Sequence, residues 1–387
     1  MGSYFKNVKE SFKLKHYVNY IALTLFLIIS ASLFYSGAMK RSTADLFYQI
    51  GISIILAVSL NLVVGFLGEL SLGHAGFMCV GAYLGGYFGN LLYSLGLPKL
   101  LVLIITMLIG GAAAGLFGFI VGLPALRLKG DYLAIVTLAF GEIVRNICKN
   151  IPAFGGALGL ATTSYGRSIF VVTFVVVILM LAVVQNIARS KHGRAVTAIR
   201  DNEIAAKAMG INVTYYKLFI FIISAFFAGV AGAIYGNYVT PILYSSFSYN
   251  YSIEILVMVV LGGMGSINGS IIAAALLTFI DFTLTKNLSG DLAALKFLIY
   301  ALILILMVIY KNAPALKKYR ERFNTRVLFE KLRAKLAKPR NAATITDDSA
   351  SWDVIPTKIK TDEVLSTDFT LSNYNPDKPS DKQGGGE

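Results

Sequence analysis

Long apolar runs are the feature that most constrains this chain. A helix that crosses a membrane needs about 20 predominantly apolar residues, because each residue advances it by about 1.5 Å. The predicted spans are, in order, Tyr17–Gly37, Ala44–Gly65, Leu70–Leu95, Leu100–Leu126, Tyr132–Asn150, Ser168–Ala188, Tyr215–Thr240, a glycine-broken stretch from Ile253 to Leu284, and Leu292–Tyr310. The pattern predicts an all-α integral membrane protein, a polytopic helix bundle of about ten spans with glycine-broken or re-entrant segments.

The charge of the chain is low and unevenly placed. Charged residues make up 14% of the sequence, against roughly 25% in a typical soluble domain. The net charge of +14 is concentrated in residues 1–16, 189–207 and 311–340, which flank apolar runs. This distribution is typical of a membrane protein and excludes an ordinary soluble globule and a nucleic-acid binder.

The basic segments also predict the orientation. Lysines before the first span place the N-terminus in the cytoplasm, because basic residues accumulate on that side. The basic residues after Tyr310 then fall in the cytoplasm only if the stretch 253–284 crosses twice, turning at its glycines. We therefore expect two helices there, a multi-pass chain in the bacterial cell membrane, and both termini in the cytoplasm.

Four regions follow from this topology. Residues 1–16 are a basic cytoplasmic N-terminus, and residues 17–310 are the membrane domain, with a cytoplasmic loop at 189–214. Residues 311–340 are predicted to form a basic cytoplasmic helix, either lying on the anionic membrane surface or serving as the solvated end of the last span. Residues 341–387 are polar and acidic, and are predicted to be disordered.

A short helix is predicted in the cytoplasmic loop. Asp201 or Asn202 can cap its first turn, Glu203 suits its N-terminal end, and Gly210 suits the position just after it. Its predicted surface consists of small or flexible residues, namely Ala205, Ala206, Ala208 and Met209. This surface is suited to seat in a groove of a soluble partner, and the alternative is a plain amphipathic connector.

Two apolar segments, one in each half of the chain, are interrupted by glycine. Paired interruptions of this kind indicate a translocation pathway, although tight helix packing explains them equally well. The candidate pathway residues are Gly68, Ser71, Gly73, His74 and Gly76 in the first segment, and Gly262, Gly263 and Gly265 in the second. His74 is expected to be a hydrogen-bonded packing residue rather than a catalyst.

Few ionisable residues lie within the predicted spans. Glu142 and Arg145 are three residues apart on one helix, so they can pair, either lining a polar path or joining helices as a neutral pair. Asp281 is a further candidate for the pathway, because a charge inside a membrane is rarely without a function.

Sequence motifs for catalysis and cofactor binding are absent. The chain has no phosphate-binding loop of the ATPase type, and its three histidines and two cysteines lack metal-ligand spacing. We therefore expect no metal, no cofactor and no enzymatic activity.

Four blocks of sequence together resemble a known family. They are SLGHAGF at 71–77, GLPALRLKGDYLAIVTLAFGEIVR at 122–145, GRAVTAIRDNEIAAKAMGI at 193–211 and MVVLGGMGS at 258–266. In this order they are similar to the M-type permease subunits of branched-chain amino-acid ABC importers, over roughly residues 45–310. Importers of urea and short-chain amides share this family.

The resemblance implies a function and a set of partners. It implies a permease subunit that forms, with a second homologous permease, the membrane pathway for leucine, isoleucine and valine. Two ABC ATPase subunits would hydrolyse ATP, and an extracytoplasmic binding protein would supply the solute. The loop would be the ATPase-coupling element, and its residues are Arg200, Asp201, Asn202, Glu203, Ala205, Ala206, Met209 and Gly210. The alternatives are an importer of urea or short-chain amides and, from another class, an ion-coupled secondary carrier.

Overall fold

The computed structural model describes residues 41–128, 130–163, 168–287, 301–302 and 305. Within these ranges the chain is helical, and its extended residues form one isolated antiparallel bridge, between Leu160 and Ile242. The prediction of an all-α membrane protein is therefore confirmed. The predicted span 17–37, most of 292–310 and the regions 1–16, 311–340 and 341–387 lie outside the described residues.

Ten α-helices are described. They are α1 (Arg41–Asn61), α2 (His74–Ser94), α3 (Lys99–Ala125), α4 (Asp131–Asn150), α5 (Ser168–Arg189), α6 (Lys191–Asp201), α7 (Glu203–Ala208), α8 (Val213–Tyr238), α9 (Tyr249–Gly262) and α10 (Ile267–Asn287). A π-helical turn, Leu62–Leu67, continues α1, and 3₁₀ turns occur at Pro152–Phe154, Gly156–Leu158 and Tyr244–Phe247.

Five helical segments of the described chain are long and apolar enough to cross a membrane: Ser42–Leu67, Lys99–Ala125, Ile169–Arg189, Val213–Tyr238 and Ile267–Lys286. The predicted spans agree with these helices to within a few residues at each end. The helices α2 and α4 have 21 and 20 residues, long enough to cross, but α2 is rich in glycine and α4 carries four charged residues. With 14 residues, α9 matches the expectation of a short segment.

Glycines bring the backbones of the central helices α2, α3 and α8 into contact. A Cβ added at Gly81 of α2 would strike the main chain of Gly229 on α8, and one added at Gly232 would strike the carbonyl group of Met78. Small residues permit this approach, which gives close packing where lipid provides no hydrophobic drive. These glycines therefore serve packing.

The second glycine-broken stretch forms a helical hairpin, as predicted. The helices α9 and α10 are joined by residues 263–266, in which Gly263 and Gly265 have positive φ angles of 97° and 79°. A side chain is rarely tolerated in that conformation, which explains glycine at both positions. At the base of the hairpin, a Cβ on Gly269 would collide with the main chain of Gly262.

Candidate functional site

The short helix α7 is defined by a cap at each end. The Asn202 side-chain oxygen accepts hydrogen bonds from the backbone N–H groups of Ile204 and Ala205, both at 3.0 Å. At the other end, Gly210 has a φ angle of 80°, and the N–H of Ile211 donates to the carbonyl oxygen of Ala206 at 3.1 Å. The N–H of Gly210 also donates to the carbonyl oxygen of Lys207 at 3.0 Å, and the two bonds together form a Schellman motif. Of the two predicted caps, the structure selects Asn202.

One side of α7 packs against the protein and the other is exposed. Ala206 is 4% exposed, so the prediction that it belongs to the docking surface is wrong. The reason is the helical period, which turns Ala206 inward while its neighbours face out. The exposed α7 face consists of Ile204, Ala205, Lys207, Ala208 and Met209. Ile204 and Met209 are 79% and 82% exposed, an unusual exposure for large apolar side chains.

A buried lysine ties α7 to the rest of the bundle. The Nζ of Lys217, in the second turn of α8, lies 2.5 Å from Oε1 of Glu69 and 3.4 Å from Oε2 of Glu203. The lysine side chain is 5% exposed, and the positive end of the α8 dipole makes its position unfavourable without these carboxylates. We call these three residues the Lys217 cluster. It joins the first residue of α7 to the segment between the π-helical turn and α2.

A second link runs from α6 through Arg200. Its Nη1 donates to the carbonyl oxygen of Gly65 at 3.1 Å, inside the π-helical turn. Its Nε and Nη2 bond to Oδ1 of Asp201 at 3.1 and 3.0 Å. The Arg200 side chain also fills the space beside Gly68, where a Cβ would lie 2.6 Å from Cγ of the arginine. Gly68 has a φ angle of 81° and ends the π-helical turn.

The two glycine-broken segments meet beside Arg200. The backbone N–H of Gly265 donates to Oδ1 of Asn61 at 2.9 Å, and a Cβ on Gly65 would collide with the backbone of Gly265. A Cβ on Gly265 would lie 3.7 Å from Nη1 of Arg200. The loop helices α6 and α7 are thus bonded to the first segment, and Arg200 lies beside the point where the second segment contacts it. A π-helical turn at this junction is a common mark of a functional position.

The remaining pathway candidates of the first segment are buried between helices. His74 Nε2 lies 2.8 Å from Oγ of Ser59, and the ring is 2% exposed. A Cβ on Gly73 would strike the carbonyl oxygen of Thr137, and one on Gly76 would strike Gly141. The side-chain oxygen of Ser71 is buried and has no hydrogen-bond partner. Gly73 and Gly76 thus close the contact between α2 and α4, whereas His74 is bonded to α1.

Glu142 and Arg145 form a pair on α4 away from the glycine segments. Their side chains are 2.5 Å apart and each is 25% exposed. Glu142 also accepts a hydrogen bond of 3.1 Å from the N–H of Tyr249, the first residue of α9. A carboxylate at a helix N-terminus is stabilising. In this structure the pair therefore joins α4 to α9 through Glu142.

A cavity of about 200 Å³ lies toward the opposite end of the bundle, between α1, α8, α9 and α10. Asp281 lines it together with Glu254. In the described part of the chain, no group of three His, Cys, Asp or Glu residues could hold a metal ion.

Several of these residues were missed by sequence reasoning. Lys217 lies within the predicted span Tyr215–Thr240, where a charge is costly, and this signal could have identified it. Glu69 lies within the first glycine segment and could have been proposed as its partner. By contrast, nothing in the sequence connects Asn61 to Gly265, because the contact joins positions 204 residues apart.

The sequence of this chain is similar to those of known membrane-transport proteins. A family model described as the permease component of the branched-chain amino-acid transport system matches residues 42–308. The high-affinity branched-chain amino-acid permease protein LivM of Salmonella typhimurium is 34% identical over 326 residues, which cover 75% of this chain and 73% of that protein.

Two further relatives show the breadth of the similarity. The LivM protein of Escherichia coli is 36% identical over 310 residues, covering 70% of this chain and 69% of that protein. The ribose import permease RbsC of Haemophilus influenzae is 24% identical over 329 residues, covering 81% of this chain and 99% of that protein. The matched region contains α1 to α10, and the chain belongs to the family of branched-chain amino-acid transport permease components.

Proposed function

We propose that this chain is one of two permease subunits of an ABC importer for leucine, isoleucine and valine. It spans the bacterial cell membrane several times, with both termini in the cytoplasm. Two ATPase subunits hydrolyse the ATP, a second homologous permease completes the pathway, and an extracytoplasmic binding protein delivers the solute. The chain itself is no enzyme in this scheme.

One observation carries the proposal: α6 and α7 are bonded to the first glycine-broken segment, and that segment packs against the second at Gly65 and Gly265. Glu203 is held by Lys217, which also holds Glu69, and Arg200 is bonded to the carbonyl group of Gly65. An ATPase that grips the exposed α7 face would therefore pull on the π-helical turn and on the α9–α10 hairpin together. A link of this kind fits a rigid-body switch between outward and inward access.

The coupling residues divide into three roles under this proposal. The exposed α7 face, which includes Met209, contacts the ATPase. Asn202 and Gly210 cap the two ends of the helix. Arg200, with Asp201 orienting it, and Glu203 transmit the movement inward. Gly68, Gly262, Gly263 and Gly265 are the positions at which the backbone bends.

The test is ATP-dependent uptake of radiolabelled leucine by the complete transporter in proteoliposomes. Urea, a short amide and ribose are added as competitors, and wild type is compared with Ala205→Asp. Because Ala205 is exposed, the aspartate should leave α7 folded. Its charge should prevent the exposed α7 face from seating in the groove of the ATPase. We expect leucine uptake in wild type, little competition by the three other solutes, and loss of both uptake and ATPase co-purification in the variant.

The matched control is Leu158→Asp, which places the same charge at an exposed position away from α6 and α7. It should retain its ATPases on purification. Normal ATPase binding by Ala205→Asp would contradict the docking role of α7. Uptake of urea or the amide in place of leucine would show that the chain belongs to an importer of those solutes instead.

An ion-coupled secondary carrier is the second candidate, since the cavity contains Glu254 and Asp281. Such a carrier needs acids within the membrane for its coupling ion. It predicts leucine uptake driven by an ion gradient without ATP or ATPases, and it assigns no purpose to the exposed α7 face. The same proteoliposomes, with ATP omitted and a sodium or proton gradient imposed, separate the two functions.

A further inference from the structure

The cavity between α1, α8, α9 and α10 lies far from the coupling helices. On α1 it is lined by Ile52 and Ser53, which are about 20 Å along the helix from Gly65 at a rise of about 1.5 Å per residue. On α8 it is lined by residues of the last turns, including Tyr238. In the proposed orientation it therefore belongs to the extracytoplasmic half of the pathway, where a binding protein releases its solute.

The lining combines a negative charge with an apolar wall. Glu254 of α9 and Asp281 of α10 line the cavity, and Tyr251 lies within electrostatic range of both carboxylates. The apolar part consists of Ile52, Met78, Val239, Met258 and Leu277. No lysine, arginine or histidine is among the described lining residues. The cavity is therefore matched to a small solute with a positive group on an aliphatic body.

A third feature of the cavity is Thr278, one helical turn before Asp281. The residue is 6% exposed, lines the cavity, and its Oγ1 has no hydrogen-bond partner. Burying a hydroxyl without a partner is unfavourable, and most such groups in proteins are satisfied. A hydroxyl can both donate and accept, so a bound solute with an ammonium or a carboxylate group would satisfy it.

We propose that this cavity binds the α-ammonium group of an aliphatic amino acid between Glu254 and Asp281. The aliphatic side chain lies against Met258 and Leu277, and the Thr278 hydroxyl bonds to the polar end of the solute. The inference rests on the proposed importer function and adds to it a solute site within this single permease subunit.

The experiment measures protection of a cysteine at the cavity. Ser246 lines the cavity and is partly exposed, so Ser246→Cys gives a thiol that a small methanethiosulfonate reagent can reach. The native Cys79 and Cys148 are buried, and the wild-type chain supplies the background rate. The labelling rate is measured on the complete transporter in lipid nanodiscs, without binding protein, against increasing leucine, 3-methylbutylamine or 4-methylpentanoate.

Leucine and 3-methylbutylamine should slow the labelling, because both carry the ammonium group, whereas 4-methylpentanoate should not. Asp281→Asn should raise the leucine concentration needed for protection by about tenfold, the equivalent of one hydrogen bond to a charged group. Thr278→Val, which is close in shape, should also weaken protection while leaving thermal stability unchanged or raised, since its hydroxyl has no partner to lose.

Three results would overturn the inference: equal protection by 4-methylpentanoate, protection by sodium ions alone, or unchanged protection in Thr278→Val and Asp281→Asn. ATP-driven leucine uptake by the wild type is measured in parallel. Uptake without protection rejects the cavity and leaves the importer intact. Protection without ATP-driven uptake rejects the importer.

Discussion

Nη1 of Arg200 lies 3.1 Å from the carbonyl oxygen of Gly65, and this bond joins a loop helix to the π-helical turn of the first described helix. The two residues are 135 positions apart in the sequence. The same guanidinium is bonded to Asp201 through two other nitrogen atoms, which fixes its plane. Under the proposed function, a displacement of α6 reaches the π-helical turn through this planar group.

Replacing Arg200 with lysine should separate ATP hydrolysis from transport. An ammonium group lacks the fork that bonds Gly65 and Asp201 together, so the charge remains but the geometry is lost. We expect the ATPases to bind normally and the leucine taken up per ATP hydrolysed to fall. Arg194→Lys is the matched control, because Arg194 is exposed on the same helix and is bonded to the carbonyl of Arg189 at its base. An equal loss in both variants would contradict the role of Arg200.

The Lys217 cluster predicts different results for its two acids. Glu69→Gln should lower the stability of the protein by about 3–5 kcal/mol, since it leaves a buried lysine with its weaker partner. Glu203 is more exposed and its contact is longer, so Glu203→Gln should leave stability nearly unchanged while uptake falls. Thermal unfolding in detergent and uptake in proteoliposomes measure the two effects. Equal destabilisation by both changes would show that Glu203 has a structural role alone.

Gly65 should not tolerate a methyl group. A Cβ there would collide with Asn61 and with the main chain of Gly265, and overpacking of this kind typically destabilises by about 1–3 kcal/mol. Gly115→Ala is the control, because its nearest neighbour would be 3.7 Å from the new Cβ. Alanine in a helix interior is favoured over glycine by up to about 1 kcal/mol, so this control should be neutral or stabilising. Thermal unfolding that ranks the two variants in the opposite order would disprove the contact.

Ala206→Asp should unfold the turn that Ala205→Asp leaves intact. Ala206 is buried, and placing a carboxylate there removes a charge from water at a high cost in free energy. Limited proteolysis at residues 203–211 reports the difference directly. Cleavage of Ala206→Asp alone is expected, and resistance of both variants would place Ala206 on the outside.

Glu142→Gln should retain most of the uptake. The amide oxygen can still accept the N–H of Tyr249, and a partly exposed ion pair contributes about 1 kcal/mol or less. Uptake near the wild-type level, with a small fall in the unfolding temperature, would agree with a joint between α4 and α9. Loss of uptake without loss of stability would instead assign the pair to the pathway.

Much of the fold could be predicted because the signal is local. The apolar runs set the helix bounds within a few residues, and Asn202 and Gly210 mark the ends of α7 through their own backbone preferences. The hairpin at Gly263 and Gly265 followed from topology, since the basic residues after it needed a second crossing. These features depend on residues close together in the chain.

The contacts of the site could not be predicted, because they join residues that are far apart in the chain. Whether Ala206 or Ala205 faces the bundle depends on how α7 is rotated, and that rotation is set by Lys217 and Glu69 from other parts of the chain. The meeting of Gly65 with Gly265 depends in the same way on the packing of α1 against α10. The glycines in both segments indicate that another backbone packs closely there, but they do not identify which residues make the contact.

The glycine contacts between α2 and α8 also limit how this protein can move. At Gly81, Gly232 and Gly236, main chain meets main chain or a small side chain, so sliding one helix along the other would drive backbone into backbone. These two helices must then travel as a single rigid body through any transport cycle. Any change of shape in the described bundle is then left to the other helices, which shift relative to this pair.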